Sequence, residues 1–398
     1  MMTTHAGSCR AASRRAVPIG VLVPGICLLL EALAVAQAYP VKKSPNGRYL
    51  VDQNNVPFLI AGDAPQSLTV NLSTTDADSF CSNRKSHRFN SLWVNLVSTT
   101  YTAGRADGST YDGILPFTGF LPGGTNDLDH YDVTKPNEAF FARVDQMINI
   151  AAKYGLQVFL DPMETGGWLN CMVNNGPTNC RTYGRYLGNR YKSFPNIVWQ
   201  SGNDYQAWSN STNDAAVTSV ALGIKDNDPN HIHTIELNYT VSNSTDDPNW
   251  VPIISLNASY TYNSTYAEVL KAYNLSNVLP VFLVEANYEE ESLQGYLTTP
   301  YICRKEEYWT NLSGATGQLF GNHYSWTFAS GWQNHLDTPG AVQMAYLQAL
   351  FTARSWHTLV PDQSHTVLTA GTGTFDPNGS DQTNDYAPAA RSADGTLV

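Results

Sequence analysis

Eight short apolar runs recur along the chain, each giving way to polar residues. They are PFLIAGD (57–63), FNSLWVNL (89–96), LQVFLDP (156–162), NIVWQSGND (196–204), IHTIEL (232–237), PIISLN (252–257), PVFLVE (280–285) and GQLFGNH (317–323). Runs that are apolar at nearly every position mark strands buried on both faces, and hence a parallel sheet. Between most of them the period changes to that of a helix. The clearest case is 136–155, where Pro136 opens the segment, apolar residues recur at three and four, and Gly155 closes it. The same reading predicts helices over 73–85, 180–194, 213–225, 264–273, 303–312 and 339–356. Eight strands alternating with helices predict an α/β fold, a (β/α)8 TIM barrel. The other arrangement of such elements is an open doubly wound sheet. The chain carries no glycine-rich phosphate loop after the first run, which removes the usual reason for that fold.

The two ends have a different texture. Arg10, Arg14 and Arg15 precede an apolar stretch that closes on Ala36 and Ala38. That pattern predicts a signal peptide over 1–38, cleaved after Ala38, and a secreted or periplasmic protein with no membrane association after cleavage. The barrel is expected over 39–362. Residues 363–398 are rich in small and turn-forming residues and read as the start of a β-rich C-terminal module, too short to complete a sandwich, or as strands laid against the barrel.

The whole chain has a net charge of −11. The expected leader takes with it three basic residues and one acidic, which makes the mature balance more negative still and argues against nucleic acid as a partner. Four cysteines remain beyond the leader. In an oxidising compartment Cys171 and Cys180 are expected to form a disulfide around CMVNNGPTNC, with Cys81 and Cys303 as the other pair. No Cys or His pair stands at zinc-ligand spacing, so no metal is expected.

In a (β/α)8 barrel the chemistry gathers at the C-terminal ends of the strands. Those ends carry Asp63 and Gln66, Asn95, Asp161 and Glu164, Asn203 and Asp204, Glu285 with Asn287 and Tyr288, and Asn322, His323 and Trp326. Asp204 and Glu285 close strands four and seven, on opposite sides of an eight-membered ring. Two carboxyls facing each other across a pocket are what glycosidic cleavage requires: one protonated to donate to the leaving oxygen, one ionised to attack or support the anomeric carbon. Taken singly, each carboxylate has a structural reading as a helix cap or an ion-pair member. Trp168, Trp208, Trp326 and Trp332 read either as core or as platforms for sugar rings. Neither a G-x-S-x-G elbow nor an H-E-x-x-H motif is present.

The chain resembles the apiosidase-like proteins, glycoside hydrolase family 140 and its relatives. The resemblance is carried in order by FLIAGDAPQSL, RFNSLWVNL, NEAFFARVDQMINIAAKYGLQVFLDP, YGRYLGNRYKSFPNIVWQSGND, PVFLVEANYE, YWTNLSGATGQLFGNHYSWTF and WHTLVPD. It implies a (β/α)8 barrel, often followed by a small β-sandwich. It also implies a catalytic pair made of the Asp closing strand four and the Glu closing strand seven, here Asp204 and Glu285. By analogy with related barrels Asp204 is the acid/base and Glu285 the nucleophile, which implies retention. Three positions depart from the family pattern. Gly202-Asn203-Asp204 stands where Gly-Gly-Asp is usual, Gln66 where a Trp is usual, and ELNYT where a His-Pro is usual at strand five. These departures leave the reaction class intact and speak against apiose as the released sugar.

The resulting expectation is a secreted glycoside hydrolase acting on a polysaccharide or oligosaccharide, without a cofactor. Asn203, Asp63, Asn95, His323 and Trp326 are the candidate substrate contacts. The alternative from another class is a catalytically silent carbohydrate-binding or adhesion protein on the same barrel. The rival among enzymes is an inverting glycosidase. The separation of the two carboxyls discriminates between these readings.

Overall fold

The computed structural model describes residues 37–293 and 295–398. The expected signal peptide falls outside the described residues, apart from its last two. Eight parallel strands curl into a barrel: β1 Ile60–Asp63, β2 Ser91–Asn95, β3 Gln157–Asp161, β4 Ile197–Ser201, β5 His233–Ile235, β6 Asn257–Thr261, β7 Val281–Glu285 and β8 Gly317–Phe320. β8 pairs back onto β1, with Phe320 opposite Asp63. The ladder is continuous from β1 to β5 and from β6 to β8. Between β5 and β6 a side chain replaces the ladder. The Ser244 hydroxyl donates to the Ile235 carbonyl at 2.5 Å and accepts from the Ala258 amide at 2.8 Å. Ser244 follows a short antiparallel strand, Val241–Asn243, which pairs with β6.

Among the described residues, beyond the single turn Leu68–Asn71, seven helices follow strands: α1 Thr74–Ser86, α2 Glu138–Lys153, α3 Thr165–Tyr191, α4 Ser211–Asn227, α5 Thr265–Tyr273, α6 Pro300–Leu312 and α7 Pro339–Thr352. Their starts follow local chemistry. Ser73, Asn137 and Asn210 accept backbone N–H bonds at the openings of α1, α2 and α4, and proline opens α6 and α7. α2 buries Phe140, Phe141, Val144, Met147, Ile148 and Ala151, an apolar stripe at helical spacing against the barrel wall. Inside the barrel, Ile60, Trp93, Phe159, Val198, Ala258, Tyr260, Phe282 and Leu319 fill the axis. The interior is therefore a packed core, and the polar strand ends above it are where a ligand could sit.

Two expectations are corrected here. The sixth strand lies at 257–261 rather than 252–257. The segment between Cys171 and Cys180 is helical, broken only at Gly176, whose φ of 68° and ψ of 172° let α3 stop and restart at Pro177. Cys171 and Cys180 lie on either side of this break as free buried thiols. Their sulfurs donate to the carbonyls of Tyr131 at 3.7 Å and Met172 at 3.2 Å, and no disulfide joins them. Cys81 and Cys303 are also free and buried, in separate apolar clusters.

The tail packs along α5 and α6. Leu359–Pro361 pairs antiparallel with Ala390–Ser392. Tyr386 packs at a tilt of 42° against Tyr266, and its carbonyl accepts from the Trp309 indole at 2.9 Å. Among the described residues no helix is long and apolar enough to cross a membrane.

Candidate active site

Above the C-terminal ends of the strands lies a cavity of about 230 Å³. Asp204 and Glu285 line it, with Gln66, Asn203, Tyr262 and Tyr288 around them and Tyr101, Tyr239, Glu291, Leu293 and Trp326 toward the rim. Two backbone irregularities aim the carboxyls. After β4 the chain takes three successive positive φ angles, 113° at Gly202, 62° at Asn203 and 60° at Asp204. This turn is strained for the two non-glycine residues and points the Asp204 side chain toward the axis. Between β6 and β7 the register slips, so that Ser259 pairs with Leu283 but Tyr260 pairs with Glu285. The bulge sets Tyr260 beside Glu285 instead of Val284.

The hydroxyl of Tyr260 lies 2.8 Å from Asp204 Oδ1 and 3.0 Å from Glu285 Oε1. Those two carboxyl oxygens can therefore be no farther apart than 5.8 Å, the sum of the two distances. Glu285 also accepts from the hydroxyls of Tyr262 and Tyr288, the latter at 2.8 Å, and from the Gln66 amide at 3.4 Å. Asp204 Oδ2 accepts from the hydroxyl of Tyr101. Burial raises the Asp204 pKa, against the pull of the Tyr101 and Tyr260 hydroxyls. Burial, and then the Asp204 charge, raise Glu285, against its three tyrosine donors. Two carboxyls this close titrate as a pair, and the first proton leaves far more readily than the second. Tyr262, Tyr288 and Gln66 donate to Glu285 alone and Tyr101 to Asp204 alone, while the one Tyr260 proton serves either carboxyl, so hydrogen bonding favours the negative charge on Glu285 and the proton on Asp204.

A third buried carboxyl braces the strained turn. Glu236, just past β5, accepts from the Asp204 amide through Oε2 at 3.0 Å. Burial, then the charges of Glu285 and Asp204, raise its pKa well above the usual carboxylate range. Asn203 is held by Asn95, whose amide donates to Asn203 Oδ1 at 2.9 Å and to Glu164 at 3.1 Å. Burial lifts Glu164 to about 7, and Thr99 and Thr102 donate to it in turn.

The other candidate residues take different places. Trp326 and Asn203 line the cavity. Asn95 lies beneath Asn203, fully buried, and positions it. Asp63 does not reach the cavity. It is buried in an ion pair with Arg84, and its other oxygen accepts from the Ala64 amide at 2.9 Å. His323 stands outside the lining, half exposed, 3.7 Å from Glu291. Asn287 turns away toward Glu306 and Asp381. Trp168 and Trp332 belong to the core, and Trp208 is half buried with its indole donating to Asn238 at 2.6 Å. Sequence reading missed Tyr101, Tyr239, Tyr260, Tyr262, Glu236 and Glu291. Tyr260 and Tyr262 were hidden by the misplaced sixth strand, and a tyrosine in a loop carries no motif. The ELNYT departure at strand five was the available pointer to Glu236 and Tyr239.

A partly buried acid and a buried carboxylate share a solvent-open cleft with amides and aromatic rings, an arrangement able to protonate one oxygen and attack the neighbouring carbon. Comparison with known proteins agrees with that chemistry. Residues 44–358 match the family described as "Apiosidase-like, catalytic domain". A solved structure described as a glycoside hydrolase is similar with a TM-score of 0.72 at 22% identity, over 89% of this chain and 81% of that one. A glycoside hydrolase family 5 protein from Bacteroides vulgatus gives 0.71 at 19% identity, over 88% and 78%. An endo-1,4-beta-D-mannanase from Thermotoga petrophila gives 0.53 at 14% identity, over 74% and 100%. At these identities the structural likeness is one of fold. Among curated proteins none matches the chain.

Proposed function

The chain belongs to the apiosidase-like family and is a glycoside hydrolase, and from that premise we propose that it is an exported, retaining enzyme that cleaves O-glycosidic bonds of a neutral oligo- or polysaccharide. Asp204 gives its proton to the glycosidic oxygen as Glu285 attacks the anomeric carbon. The bond to the leaving group breaks as the glycosyl ester forms. Water then attacks the anomeric carbon from the opposite face, Asp204 takes its proton, the bond from that carbon to Glu285 breaks, and Glu285 leaves as the carboxylate. Asn203, Gln66 and Trp326 hold the sugar, and Asn95 positions Asn203.

The carrying observation is the hydroxyl that Asp204 and Glu285 share. The 5.8 Å ceiling it sets on their facing oxygens suits retention, which uses about 5–5.5 Å, and falls short of the roughly 6.5–9.5 Å that leaves room for an inverting water. A neutral sugar is favoured because the lining carries Asp204, Glu285 and Glu291 and, among the described residues, no Lys or Arg to pair with a uronate. The three departures from the family pattern bear on the sugar too. Gln66 bonds Glu285, Asn203 lines the cavity and Glu236 bonds the Asp204 amide. A residue change touching each half of the pair supports a released sugar other than apiose.

The test is hydrolysis of a panel of neutral polysaccharides and 4-nitrophenyl glycosides by the purified chain and by Glu285→Ala. Cleavage that disappears in the variant, with an unchanged circular dichroism spectrum, is the expected result. Full activity in Glu285→Ala would refute the nucleophile.

A further inference from the structure

The two oxygens of Asp204 face different surroundings. Oδ1 faces inward, where the Tyr260 hydroxyl at 2.8 Å links it to Glu285. Oδ2 accepts from Tyr101, at the rim of the cavity. A general acid must come within about 2.6–3.2 Å of the oxygen it protonates. Oδ1 is committed to the bridge that holds the pair together, so Oδ2 is left to meet the leaving group, and there the Tyr101 hydroxyl already stands.

The mounting of Tyr101 suits a side chain that moves on a fixed backbone. It lies in a short 3-10 turn, Thr100–Thr102, between β2 and α2. Thr99 and Thr102, on either side, both donate to the buried Glu164. Ala103 closes the turn with a φ of 59°. Tyr101 itself is 40% exposed. Its ring rests on the backbone of Gly166, where a Cβ would come within 2.2 Å of it. The main chain is pinned, while the side chain is open to solvent on its outer side.

We propose that Tyr101 holds the place of the glycosidic oxygen on Asp204 in the free enzyme, is displaced by it when substrate binds, and then forms the leaving-group wall of the cleft. This inference rests on the glycosidase reading. Tyr101 is thus a positioning and specificity residue for the leaving group, and the free acid is kept capped until a substrate reaches it.

The titratable groups facing Asp204 are Tyr101 from the turn after β2, Glu236 past β5, Tyr260 and Tyr262 from β6 and its end, and Glu285 from β7. Of these, Tyr101 is the one proposed to leave on binding. A hydroxyl donating to a carboxylate favours the ionised form. Tyr101→Phe removes the donor and keeps the ring, so Asp204 in the free enzyme should titrate higher by about one pH unit, the worth of a hydrogen bond to a charged group. The profile of kcat/KM reports the free enzyme and that of kcat the enzyme–substrate complex. With the 4-nitrophenyl glycoside cleaved fastest by the wild type, the alkaline limb of kcat/KM should move up by about one pH unit in Tyr101→Phe while the limb of kcat stays. Equal movement of both limbs would mean that Tyr101 remains on Asp204 in the complex and would overturn the proposal. Movement of neither limb would overturn it as well. A carbon-13 NMR titration of the free protein, with Asp204→Asn for assignment, gives the free-enzyme arm without turnover, and an unmoved Asp204 there also counts against it. Absence of hydrolysis by the wild type across the panel would instead refute the glycosidase reading, which separates the two failures.

Discussion

One phenol, that of Tyr260, stands 2.8 Å from Asp204 Oδ1 and 3.0 Å from Glu285 Oε1. It spaces the pair and helps to stabilise the negative charge on Glu285. Tyr260→Phe should lower kcat by about 10- to 100-fold, the range set by losing one hydrogen bond to a charged group. The sign of the pH effect follows. Without this donor the Glu285 anion is less stable and its pKa rises. The acid limb of the rate profile, below which the nucleophile is protonated, should then move to higher pH. A steady-state profile of the variant checks both, and a limb that moves down would contradict the assignment.

Gly202 carries a φ of 113°, and a Cβ there would lie 2.1 Å from the Glu236 carbonyl oxygen. Gly202→Ala therefore forces the strained turn off its support and shifts Asp204. A displacement of about 1 Å at a reacting group costs about 100-fold in rate. Activity is expected to fall at least that far while circular dichroism shows a folded barrel. Wild-type kcat in this variant would mean that the turn does not aim the acid.

Asp63 and Arg84 form a fully buried ion pair. Asp63→Asn leaves the guanidinium buried without its counter-charge, a change that costs about 3–5 kcal/mol. Urea unfolding should register this loss, while the specific activity of the folded fraction stays near wild type because Asp63 does not line the cavity. A fall in kcat with unchanged stability would return Asp63 to the site.

The tail is joined to the barrel partly by two carboxyls. Asn287 donates to Glu306 at 2.6 Å and to Asp381 at 3.1 Å. Burial raises Asp381 to about 7, and burial followed by the facing Asp381 raises Glu306 well above its usual range. In the unfolded chain both would ionise above about 4. The folded form thus binds more protons, and its stability falls as pH rises from about 4 through about 7. Limited proteolysis within residues 363–398 should be faster at alkaline than at acidic pH, and Asp381→Asn should flatten the difference. Faster cleavage at acidic pH would contradict this.

The barrel was legible because β1, β2, β3, β4 and β7 each carry or adjoin an unbroken run of at least three apolar residues, and both faces of such strands are buried. β6 escaped because Asn257, Ser259 and Thr261 alternate with Ala258 and Tyr260. Its inner face packs in the barrel core, while Ser259 bonds Asn243 rather than an apolar helix. The carboxyls at the ends of β4 and β7 could be picked out as polar residues closing apolar runs. Asp63 obeys the same rule and serves a different end, since nothing in the run indicates that Arg84 comes back to meet it. The tyrosines that tune the pair depend on a register slip and a loop, and neither leaves a pattern in the chain. The expected Cys171–Cys180 loop failed for a related reason. Asn-Asn-Gly-Pro reads as a turn, whereas Gly176 and Pro177 only interrupt a helix.

The stereochemistry of the first product distinguishes a nucleophilic Glu285 from every inverting arrangement of the same two carboxyls. Proton NMR of the anomeric region, recorded as the enzyme begins to cleave an aryl glycoside and before mutarotation, reads it without further assumptions. Initial release of the anomer with the configuration of the substrate is the expected result, and initial release of the opposite anomer would contradict it.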